Sequence, residues 1–125
     1  MNAGDTFHSR RPGATRPHLY VAVTDPDADG QLVLVNLTSQ ALLKDQSCIL
    51  NVGDHPFIKH ETVINYAEAV ISSEEAIFAG ARGGVIQHDP APVTSDALKR
   101  IQQGALASPQ IETRVKAAVV AALGM

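Results

Sequence analysis

The 125-residue chain contains no Trp, two Tyr and three Phe. Aromatic stacking therefore cannot supply its core, which must be assembled from Val, Ile, Leu and Ala. Its one cysteine, Cys48, excludes an intrachain disulfide and fits a reducing compartment. No apolar run approaches the ~18 residues of a membrane span. The segment KAAVVAALGM is too short to cross a bilayer, and MNAGDTFHSRRPG has no apolar stretch of the signal-peptide kind. A soluble, cytoplasmic protein with no membrane partner is expected. Positive net charge is missing as well. Ten Lys and Arg against thirteen Asp and Glu give −3, which argues against a tight, sequence-independent nucleic-acid binder. There is no Gly-x-Gly-x-x-Gly, P-loop or Gly-x-Ser-x-Gly, and Gly80, Gly83 and Gly84 are too isolated to cradle a phosphate.

With 45% apolar and 18% charged residues, the composition is globular and the length suits one domain over 1–125. The charge is uneven. Arg10, Arg11 and Arg16, with His8 and His18 beside them, make the first twenty residues locally basic, while acids gather in DPDAD and around Glu68 to Glu75. A basic patch on an acidic protein suits RNA held weakly and released after cleavage.

Period-two runs of β-branched and aromatic residues predict strands over HLYVAVT (18–24) and QLVLVNLTS (31–39), joined through the turn residues of DPDADG. Shorter strands are expected over 4–9, 47–52 and 85–88, with 62–71 extended. Ser72 and Glu75 have the spacing of a capping box for a helix near 73–81. Thr94-Ser95-Asp96 starts a second helix with Gly104 at its C′ position, and Ser108-Pro109 starts a third, whose Ile111, Val115 and Val119 share one face. The expected fold class is α+β, mainly β, with a β core over 4–88 and C-terminal helices over 94–123.

Three constellations carry possible chemistry. Asp25, Asp27, Asp29 and Gly30 match the opening of a calcium loop, but its twelfth position is Asn36 rather than a bidentate Glu. A hairpin turn with solvated acids explains them better. Cys48, His55 and His60, with His18 or Asp54, are of the right type for zinc, yet Cys-x6-His-x4-His matches no compact zinc module. His55 beside Asp54, and His60 near a strand start, would suit acid–base work on a ribose 2′-hydroxyl if they face one cleft. Otherwise they shape a turn and sit half exposed. Cys48 as a nucleophile would need a nearby His partner.

Gly4-Asp5, then Arg16-Pro17 leading into HLYVAV, then a strand ending in Thr38-Ser39, and then IKHETVINYAEAVISSEEAI follow one another in the order found in the PemK/MazF-like toxin family. The chain resembles that family over residues 4–80. The resemblance implies an SH3-like small barrel, assembled as a homodimer, cleaving single-stranded RNA without a metal or other cofactor. It also implies a cognate antitoxin protein as partner. By position Arg16 would be the catalytic Arg and Thr38 the catalytic Thr, the first stabilising charge on the scissile phosphate and the second binding a non-bridging oxygen. Arg10 and Arg11 in the loop over 9–15 would contact phosphate, with His18 and Ser39 beside the substrate, and His55 and His60 are the alternative acid–base pair. Two other readings stand beside this one. A non-catalytic SH3-like module would bind a protein through its C-terminal helices, and a small metalloenzyme would use Cys48 and the histidines.

Overall fold

The structure is a computed structural model and describes residues 1–10, 16–39 and 45–125. Strands β1 (Thr6–Ser9), β2 (His18–Ala22) and β3 (Gln31–Ser39) are followed by β4 (Ile49–Leu50), β5 (Thr62–Ile64) and β6 (Val70–Ser73). Helix α1 (Glu74–Arg82), strand β7 (Ile86–Asp89) and helices α2 (Ser95–Ala107) and α3 (Thr113–Ala122) complete the chain. The fold class is α+β, mostly β, as the sequence predicts. All seven strands join one antiparallel sheet, six in the order β4-β5-β3-β2-β1-β7 and β6 paired beside β3 off that path. The sheet stays open, with β4 and β7 at its ends, so the closed barrel expected from the resemblance is not formed among the described residues.

β3 is the organising strand. One edge pairs with β2; the other is divided between β6, opposite Gln31–Leu34, and β5, opposite Leu37–Ser39. Alternation along these strands sends side chains to two faces. Leu19, Val21, Val23, Val33, Val35 and Leu37 pack with Ile101 and Ala105 of α2 and Val115 and Val119 of α3. Phe7, Ala22, Leu32 and Leu34 pack with Ile77 of α1 on the opposite face. Helices cover both faces, which is why LVLVNL is buried without interruption in an antiparallel sheet.

Several element boundaries differ from the sequence expectation. The extended run over 62–71 is split by a 3₁₀ turn at Tyr66–Glu68, where Tyr66 is buried. Strand β6 continues through Ser73, so Ser73 rather than Ser72 caps α1, its hydroxyl accepting from the Ala76 N–H at 3.1 Å. Gly104 does not end α2; the helix runs through it to Ala107, because Gly104 is where Tyr66 and Cys48 press against the helix. Ser108 does not start α3 either. Its hydroxyl is committed to the buried Asp45 at 2.6 Å, and the helix begins at Thr113. The Asp25–Gly30 run closes the β2–β3 hairpin. Asp27 accepts from the N–H groups of Asp29 and Gln31, Gly30 takes φ +76°, and Asn36 lies within β3 opposite Tyr20. No helix among the described residues is long and apolar enough to cross a membrane.

Candidate functional site

Strand β1 places Thr6 and His8 on the sheet face that α2 and α3 cover, opposite Asp89 and Gln87 of β7. His8 donates from Nε2 to Asp89 Oδ2 at 2.8 Å, which directs its Nδ1 away from the carboxylate. The other oxygen, Asp89 Oδ1, accepts from the Ala91 N–H at 2.9 Å and lies 3.7 Å from His55 Nε2. Burial alone would raise the Asp89 pKa. The hydrogen bonds from Ala91 and His8, with the neighbouring imidazoles, outweigh that and hold it below the ordinary carboxylate value. His8 is half-buried, its ring in a T-shaped contact with Phe57 at a centroid distance of 5.0 Å and 70° between planes. It also lines a depression of about 440 Å³, together with Ser9, Arg10, Pro17, Val85 and Gln87. An imidazole oriented by a carboxylate, in a cavity that an arginine also lines, is an arrangement suited to moving a proton beside an anion.

His55 is only 2% exposed, and both of its ring nitrogens are occupied. The Phe57 N–H donates to Nδ1 at 3.0 Å, so Nε2 carries the proton and donates to the Ala91 carbonyl at 2.8 Å, with Thr6 Oγ1 at 3.1 Å. The acid–base role expected of His55 is thereby replaced by a structural one: the ring ties the 55–57 turn to the segment that holds Asp89. His60 is exposed at the start of β5, its Nδ1 donating to the Glu61 carbonyl at 2.9 Å. The two histidines do not share a cleft.

The remaining expected residues gather at one end of the sheet. Ser9 of β1 is opposite His18 of β2, and continuing the β2–β3 register by two places sets His18 opposite Thr38. His18 Nδ1 donates to the Leu37 carbonyl at 3.2 Å. Ser39 is opposite Thr62 of β5, two residues after His60. Arg10 follows β1 and Arg16 precedes β2, both exposed at this same end, whereas Asp25, Asp27 and Asp29 lie in the turn at the other end of the hairpin. Arg11 lies outside the described residues. Ser9, His18 and Thr38 share the α1 side of the sheet and His8 the opposite side, because alternate residues of a strand face opposite ways. The sheet end thus separates His18 and Thr38 on one side from the His8–Asp89 pair on the other.

Cys48 is buried against Tyr66, and burial pushes its thiol up to about 11. It sits under α2, whereas His55 is bound to Ala91 and His60 is exposed. Among the described residues no group of three or more His, Cys, Asp or Glu is placed to hold a metal ion, so the expected zinc ligands do not converge. Sequence reasoning missed the pairing of His8 with Asp89. The polar–apolar alternation Thr6-Phe7-His8 does mark His8 as facing away from Phe7, but the partner is 81 positions away and no local spacing reports it. No protein-family model matches the chain, and no curated protein or solved structure matches it either.

Proposed function

We propose that the chain is a metal-independent endoribonuclease of the PemK/MazF-like kind, acting on single-stranded RNA at the Arg10–Arg16 end of the sheet. The His8–Asp89 hydrogen bond, with His8 and Arg10 both lining the depression, is the observation that carries this reading. In the reaction, the ribose 2′-hydroxyl gives its proton to His8 Nδ1 and its oxygen forms a bond to phosphorus. The P–O5′ bond breaks, its electron pair stays on O5′, and that oxygen takes up a proton from solvent. The products are a 2′,3′-cyclic phosphate and a free 5′-hydroxyl. Asp89 positions the imidazole and stabilises the imidazolium that forms. Arg10 offsets the charge building on the phosphate, and no metal is required for any step. Arg16, His18, Thr38 and Ser39 lie across the strand end and serve as the path of the flanking RNA.

The three antiparallel strands β1–β3, with β5 and β6 sharing one edge of β3, are read as an opened SH3-like barrel. The same proposal includes a homodimer and an antitoxin protein that covers the basic end. The test is incubation with a long single-stranded RNA in excess EDTA, using wild type, His8→Gln, Arg10→Ala, Arg16→Ala and Thr38→Ala. Discrete fragments from the wild type are expected, with kcat/KM lowered by ~10²- to 10⁴-fold in His8→Gln. If Arg16→Ala and Thr38→Ala lose activity while His8→Gln keeps it, the chemistry belongs to the opposite side of the sheet. Intact RNA with every protein would leave the protein-binding module as the better reading.

A further inference from the structure

Two of the three Phe are exposed, Phe57 at 47% and Phe78 at 41%, and of these Phe57 lies against His8 of the His8–Asp89 pair. Phe57 does not hang from a loose loop. Its own N–H is held by buried His55 at 3.0 Å, and the next residue, Ile58, is buried in the core with its N–H on the His55 carbonyl at 3.0 Å. Upstream, Asp54 is fixed by Arg100 at 2.6 Å and its carbonyl accepts from the Thr94 N–H at 3.0 Å. The ring is therefore presented on a pinned turn, with the centroid of the His8 ring 5.0 Å away and much of its surface open to water.

We infer that Phe57 is the stacking platform for an unpaired base of the RNA, next to the bond cleaved beside His8. The inference rests on the RNA-cleavage reading and adds to it the residue that selects unpaired strands. The Phe57 ring lies against His8, and His8 in turn shares the lining of the depression with Arg10. That is the arrangement by which single-stranded nucleic acid is held, with bases on rings and phosphates on cations. A base inside a duplex is already stacked on its neighbours, so only a splayed-out nucleotide reaches the ring.

Because the chain has no Trp, Phe57→Trp introduces a single Trp at the platform, excited selectively over Tyr20 and Tyr66. The probe is a short unpaired 2′-O-methyl oligonucleotide, whose blocked hydroxyl prevents cleavage, alongside the same strand annealed to its complement. The unpaired probe is expected to quench the Trp emission and the duplex to leave it unchanged. In cleavage assays Phe57→Ala raises KM about tenfold with kcat within about twofold, and Phe57→Leu does the same because it keeps apolar packing on His8 but offers no ring face. Absence of quenching by the unpaired probe, or a KM restored by Leu, overturns the inference. Should the wild type cleave no RNA, the cleavage reading fails, and fluorescence alone decides: quenching sustains the platform, and its absence removes it.

Discussion

At the scale of the residue, chemistry here depends on which groups are already committed. His55 is saturated by Phe57, Thr6 and Ala91, so His55→Ala removes a buried hydrogen-bonded ring and should unfold the 55–57 turn at a cost of ~2–4 kcal/mol by thermal melting. His8 keeps one ring nitrogen clear of its carboxylate partner, and the two are separable by assay. We expect Asp89→Asn to lower kcat by less than His8→Gln, since an amide still accepts from Nε2 but stabilises the imidazolium poorly. Cys48 makes a third case. With its thiol pushed up to about 11 by burial, it should resist thiol reagents at neutral pH in the native protein and react only on unfolding. Rapid labelling of the folded chain would contradict the packing around Tyr66.

At the scale of the element, a close approach decides how α2 sits. A Cβ on Gly104 would collide with the Tyr66 hydroxyl and stand 2.9 Å from Cys48 Cβ and 3.0 Å from the Ser47 carbonyl oxygen. The Tyr66 hydroxyl itself donates to the Ile101 carbonyl at 2.7 Å, so it cannot move aside without leaving that acceptor unpaired. Gly104→Ala would raise helix propensity in an exposed helix, yet here it should lose ~1–3 kcal/mol through overpacking, measurable by urea unfolding. Gly104 reads as a helix terminator in the sequence because a glycine after a periodic run has that meaning locally. The contact that redefines it comes from Tyr66, 38 positions earlier. The Ser72–Ser73 shift has a similar origin. Either hydroxyl fits a cap, and pairing of Ser72 and Ser73 with Leu32 and Gln31 carries the strand one residue further.

At the scale of the whole molecule, two carboxylates link stability to acid. Asp45 would be raised by burial, but hydrogen bonds from Ser108 and Ser47 lower it overall, and Asp89 is lowered by Ala91 and His8 in the same way. Both favour the charged form in the folded state. Their contribution is therefore present above the unfolded carboxylate value of ~3.9 and is lost as pH falls through the lower folded values. The melting temperature should drop below about pH 4, and the drop should be shallower in Asp45→Asn and in Asp89→Asn. A curve unchanged by either substitution would mean that other groups set the acid limit.

The hairpin of β2 and β3, the three helices and the buried Val115 and Val119 of α3 were legible in the chain itself, whereas Ile111, expected on the same helical face, is buried but precedes the helix. Alternation, turn residues and helical spacing are local patterns, and each is enforced by the period of its own element. The gathering of Arg10, Arg16, His18, Thr38 and Ser39 at one sheet end follows from the order of those strands. Three matters were decided only by tertiary structure. Among the described residues the sheet stays open, with β4 and β7 at its ends; both ring nitrogens of His55 are taken up by Phe57 and Ala91; and His8 met Asp89. Each depends on which distant strand or turn lies alongside, and a register between segments tens of residues apart leaves no periodic trace in either one.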